Sequence, residues 1–143
     1  MNLKKYIIAV LVVYVLYSGL AFVTHEVILR ADYTPLEGTV TRAMAEFGLR
    51  VPLLYLGNLI FALAFCALYA EGYNPAKNRL SQGLRYGLLL GTLLAPFAIT
   101  EYVVYPVPAW LALKWILFGY FQVLVSAVAA AAVYTPPPVV KKL

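Results

Sequence analysis

At 143 residues the chain has room for one domain, and with 64% hydrophobic and only 12% charged residues it carries half the charge expected of a soluble fold. Its solvent is therefore expected to be lipid. The net charge of +5 collects at the ends of apolar runs without interleaved aromatics, which argues against nucleic-acid binding, and the single Cys66 cannot build a disulfide framework or a thiolate metal site within one chain.

The first apolar run extends from Tyr6 to about Leu29 and predicts a transmembrane helix over residues 6–29. Lys4 and Lys5 precede it, so a cleavable signal peptide is the rival reading. The apolar stretch continues past Gly19-Leu20-Ala21, a poor cleavage site, and this favours a retained helix.

The connection that follows holds Thr34-Pro35-Leu36-Glu37, an N-cap residue with proline and an acid in the first turn. Leu36, Val40, Ala43, Met44 and Phe47 recur at helical spacing, and Gly48 can end the run. The pattern predicts a short amphipathic surface helix over residues 35–47. The alternative is a lengthened start of the second long helix, with Pro52 marking a bend.

The second span is expected over residues 51–70, a basic cytoplasmic loop over 71–83, the third span over 84–105 and the fourth over 109–134. Each run has 20 or more residues, and at 1.5 Å per residue that covers a hydrocarbon core of about 30 Å. The runs are continuous and do not alternate, so strands are excluded. Thr135-Pro136-Pro137-Pro138 predicts an extended, exposed tail over 135–143.

Orientation follows from the basic residues. Lys4, Lys5, Lys77, Arg79, Arg85, Lys141 and Lys142 fall on the side of the termini, against Arg30, Arg42 and Arg50 on the other. The positive-inside rule then puts both ends in the cytoplasm. The expected fold is an all-α, integral membrane four-helix bundle, up-down-up-down, multi-pass in the cell (inner) membrane.

Gly83, Gly87, Gly91 and Ala95 form a small-residue ridge at four-residue spacing on the third span. The fourth span offers Gly119, Ser126, Ala127, Ala130 and Ala131. The tight turn Pro106-Val107-Pro108 makes these helices antiparallel neighbours, and the ridge is expected to pack within the chain. It could instead serve a partner protein or a second copy. Pro96 is expected to kink the third span.

Ionisable groups inside a span turn inward and pair. Glu101 and Lys114 lie six residues before and seven after Val107, hence at one depth, and a Glu101–Lys114 contact is expected. His25, Glu26, Arg50, Asn58 and Gln122 point to the same level, so the expected candidate site is one intramembrane polar cluster in the outer half. Each member also has a purely structural reading as a hairpin clasp or an interhelical hydrogen-bond partner. His25 is the only histidine and Glu26 diverges from it on a helix, so no metal site is expected. Neither a nucleophile elbow nor a phosphate-cradling loop appears, so no cofactor and no enzymatic activity are expected.

Tyr55-Leu56-Gly57-Asn58, the run from Gly83 to Gly91, and Tyr134 together resemble a group of small uncharacterised four-helix bacterial inner-membrane proteins. In that group, too, the connection after the first helix ends in an arginine before a proline-containing second helix. The resemblance implies architecture and no activity. The leading functional expectation is an accessory or scaffold subunit packing against partners or itself in the bilayer. The second is a small transporter or channel unit with Glu101, Lys114 and His25 at its site. The third is a membrane redox or quinone-binding protein using His25 and tyrosines.

Overall fold

A computed structural model describes residues 2–134 of the chain. The expected tail lies outside the described residues. The described chain is all-helical: α1 Leu3–Phe22, a wider π-helical turn Val23–Ile28, α2 Arg30–Tyr33, α3 Met44–Glu71, α4 Arg79–Val104 and α5 Ala109–Val133. Four helices are long and apolar enough to cross a membrane, α1 counting together with its π turn.

Local chemistry sets the helix ends. Asn2 caps α1 by accepting from the Lys5 N–H at 3.2 Å, and Asn78 caps α4 by accepting from the Ser81 N–H at 3.1 Å. The α3–α4 loop is closed by Gln82. Its side chain accepts from the Asn74 N–H and donates to the Asn74 and Lys77 carbonyls at 2.8–3.1 Å. Helices α3 and α4 continue through Pro52 and Pro96. Beside Pro96, whose ring removes one backbone donor, Thr100 Oγ1 donates to the Pro96 carbonyl at 3.1 Å.

The expected surface helix over 35–47 does not form. Residues Thr34–Leu36 make one tight 3-10 turn, Gly38 takes φ +76°, and the helix restarts at Met44. The left-handed glycine breaks the helical path, and the Glu37 carboxylate then accepts from the Met44 N–H at 2.7 Å. Glu37 therefore acts as a cap for α3 and not as the third residue of a surface helix. The second long helix does begin before residue 51, at Met44, but it does not take in the rest of the 35–47 segment.

Packing is uneven. Helices α4 and α5 pair along most of their lengths, and α1 lies against both α3 and α5. Gly83, Gly87 and Gly91 are buried on α4. A Cβ at Gly83 would stand 2.5 Å from the Ala131 methyl and 2.9 Å from the Ala127 carbonyl oxygen. One at Gly87 would meet Ala127 Cβ at 2.9 Å, and one at Gly91 the Tyr120 ring at 2.9 Å. As the α4 numbers rise the α5 numbers fall, so the two run antiparallel. Ala95 is half-buried beyond the ridge. Gly119 departs from the expectation: nothing lies within 4 Å of its Cβ position, so it faces open space.

By contrast, the backbones of α3 and α4 scarcely approach each other. Aromatic rings bridge them at one end. Tyr86 donates to the Phe65 carbonyl at 2.6 Å, its ring lies edge-on to Phe65 and Tyr69, and Tyr134 completes the group against Tyr69. At the opposite end a smaller core of Leu29, Val107 and Leu111 ties the segment after α1 to the α4–α5 turn. Between these two closures the bundle holds open space.

Candidate functional site

The π-helical turn carries the first site residues. Its Leu29 N–H reaches back five residues to the Thr24 carbonyl at 2.8 Å, and the widened turn presents His25 and Glu26. Such turns concentrate at functional positions because the extra residue re-aims side chains. α2 follows at once and supplies Asp32 and Tyr33.

Lys114 on α5 pairs with Asp32, its Nζ 2.7 Å from Oδ2, and lies 4.6 Å from the Trp110 ring centre. The expected Glu101–Lys114 clasp is therefore corrected: among the described residues no ion pair joins them. The two are level in depth, but depth alone did not decide the partner. The α2 turn folds over the end of α5 and brings in a closer carboxylate.

Next along the chain, Trp115 Nε1–H donates to Tyr33 Oη at 2.7 Å, and Tyr33 Oη lies 2.7 Å from His25 Nδ1. Indole can only donate, so the phenolic proton is free to point at His25. A His25 that accepts there carries its proton on Nε2. The three rings are stacked, His25 on Tyr33 at 5.9 Å and Tyr33 on Trp115 at 6.4 Å. Burial pushes the Tyr33 phenol up to about 12. The Trp115 hydrogen bond opposes this, and the Asp32, Glu101 and Glu26 carboxylates reinforce it. Tyr33 is thus a neutral hydrogen-bonding group at any physiological pH.

The remaining members of the expected cluster separate. Glu26 holds Arg30 at 3.1 Å within one helical turn. Arg50 stays on α3, donating to the Glu46 carbonyl at 3.0 Å and lying 3.8 Å from its carboxylate. It does not join the others. Asn58 Nδ2 donates to Ser18 Oγ at 3.2 Å, linking α3 to α1. Gln122 Nε2 donates to the Tyr17 carbonyl at 2.8 Å, linking α5 to α1. Ser126 is fully buried, and its Oγ has no partner among the described residues. Among the described residues no hydrogen bond or ion pair joins the expected members into one network; His25 instead meets Tyr33 and, through it, Trp115.

Two cavities flank the His25–Tyr33 contact, and His25 and Tyr33 line both. The first, about 590 Å³, lies between the π turn and the start of α3, with Glu26, Arg30 and Glu37 on its polar rim. The second, about 480 Å³ and half open, lies among the four long helices and reaches Glu101, which is exposed, together with Gln122, Gly91 and Gly119. Glu101 makes no salt bridge among the described residues. Volumes of this size suit small organic molecules. The described residues hold no group of three or more histidine, cysteine, aspartate or glutamate side chains able to bind a metal ion.

The sequence reading missed Asp32, Tyr33 and Trp115 as site residues. A signal existed in the adjacent pair Lys114-Trp115: two polar donors inside an apolar run require acceptors, and Asp32-Tyr33 supplies them in the same order.

No family model, curated protein or solved structure matches this chain.

Proposed function

We propose that the protein is a multi-pass protein of the cell's inner membrane, with both ends in the cytoplasm. In its outer half it binds a small molecule as a transporter or carrier unit. Support for insertion comes from large apolar side chains exposed on all four long helices, among them Leu11, Leu53, Leu89 and Leu117. A water-soluble monomer does not carry apolar surface on that scale. The excess of basic residues beside the termini supports the orientation, and the up-down threading follows from it.

The observation that carries the binding role is the 480 Å³ cavity reaching Glu101. A carboxylate kept only as a helix clasp would be paired and packed. This one borders space, in a lining it shares with the His25–Tyr33–Trp115 chain.

Cysteine chemistry tests this directly. Cys66, the only cysteine, is buried, so Cys66→Ser gives a silent background. In that background Ala98→Cys places a thiol on the cavity wall. A small, charged methanethiosulfonate should modify it in the folded, purified protein. Modification only after denaturation would mean a dry interior and would sink the binding role.

The second reading, an accessory or scaffold subunit, is favoured by the gap between α3 and α4, which leaves a side of the bundle for a partner helix. Under that reading the Ala98→Cys thiol becomes shielded when the partner is bound.

A further inference from the structure

We propose that the cavity beside Glu101 selects an organic cation, with the Glu101 carboxylate as counter-ion and the surrounding rings as its walls. The inference rests on the small-molecule reading above and adds the class of ligand. Its basis is the charge and chemistry of the lining. Aromatic residues line it from four helices: Tyr17 of α1, Phe61 of α3, Phe97 of α4, and Trp115 and Tyr120 of α5. No lysine or arginine lines the space among the described residues. Lys114, the one cation near it on α5, is held by Asp32 at 2.7 Å and lies over Trp110, outside the lining.

Glu101 is therefore the only acid facing the cavity, and it has no ion-pair partner among the described residues. Ring faces are electron-rich and attract a delocalised cation, which they desolvate at lower cost than a compact, strongly hydrated ion. An anion would meet the carboxylate, with no lysine or arginine among the described lining residues to offset it. A metal ion would find a single carboxylate and no ligand cluster. A neutral molecule would fit the volume but leave the carboxylate unpaired. The rings and the lone acid thus point together to a lipophilic ammonium or phosphonium-like charge. His25 Nδ1 is engaged by the Tyr33 hydroxyl at 2.7 Å.

Two probes of similar shape decide the matter. Tetraphenylphosphonium is cationic and triphenylphosphine oxide is neutral. Binding of each to the full-length protein in nanodiscs is measured by calorimetry, with empty nanodiscs subtracted. The cation should bind saturably, and Glu101→Gln should weaken it at least tenfold. Glu101→Asp, which keeps the charge, should retain most of the affinity. Triphenylphosphine oxide should bind the native protein no more tightly than Glu101→Gln.

Equal binding of the cation to native protein and Glu101→Gln overturns the cation assignment. It leaves the cavity reading intact if the Ala98→Cys thiol still reacts. Absence of saturable binding by the cation to native protein also overturns it. Failure of both probes together with an unreactive Ala98→Cys thiol removes the cavity reading as well. A Glu101→Gln protein that unfolds is recognised by its elution profile, and the Glu101→Asp affinity then decides: a loss as large as tenfold overturns the proposal.

Discussion

Lys114 sits in an otherwise apolar helix, where an unpaired ammonium is costly. Asp32 meets it at 2.7 Å from a side chain only 17% exposed, so removing the lysine alone strands a half-enclosed carboxylate. A double-mutant cycle of Asp32→Asn and Lys114→Met, followed by thermal melting, should give a coupling of about 0.5–3 kcal/mol. The same cycle with Glu101→Gln in place of Asp32→Asn should be additive to within about 0.5 kcal/mol. A larger Glu101–Lys114 coupling would restore the clasp that sequence depth suggested. Nearby, Tyr33 is the residue on which the site turns. It accepts a hydrogen bond from Trp115, contacts His25, and lines both cavities.

The α4–α5 pair shows how close approach is achieved. Van der Waals contact and not water exclusion holds helices together in lipid, so backbones gain most where no Cβ intervenes. Gly87 has the Ala127 methyl and the Leu124 backbone within 3.0 Å of its Cβ position, whereas Gly119 has nothing within 4 Å. Gly87→Val should therefore lower stability by about 1–3 kcal/mol, because α5 must move to admit it. Gly119→Ala should stay within about 1 kcal/mol of the native protein. Melting in one detergent compares them, and equal losses would mean that α4 and α5 do not pack through the ridge. The segment after α1 makes a related point. Gly38 and the Glu37 cap turn a helical-looking pattern into a fold-back, and that fold-back carries Asp32 and Tyr33 onto α5.

At the scale of the molecule, the bundle is closed by tyrosines at one end and by the Leu29–Leu111 core at the other, with space between. The proposed threading puts Lys77 in the cytoplasm and Gly38 outside. With Cys66→Ser as background, Gly38→Cys on intact cells should react with a membrane-impermeant maleimide, and Lys77→Cys should react only after permeabilisation. The reverse pattern would turn the molecule over and place the Glu101 cavity toward the cytoplasm. Gly38 has a positive φ, so Thr39→Cys is the alternative outer position if the first variant folds poorly.

Sequence by itself determined the four long helices, because the apolar runs are continuous, do not alternate, and are far longer than strands. It also made the Gly83–Gly87–Gly91 pairing with α5 the expected one, because a three-residue turn forces neighbours and small residues mark the approach, while leaving a partner or second copy open. The roles of Asn58 and Gln122 as interhelical donors were legible for a similar reason: a polar amide in an apolar helix needs an acceptor on the next one. Partners separated by irregular chain were decided only in three dimensions. Asp32 reaches Lys114, and Tyr33 reaches Trp115, across 82 residues, through a π turn and a left-handed glycine that hydrophobic periodicity does not encode. The cavity is likewise a tertiary fact. It exists because α4 follows α5 and stands away from α3, and a gap between helices leaves no trace in the sequence of either.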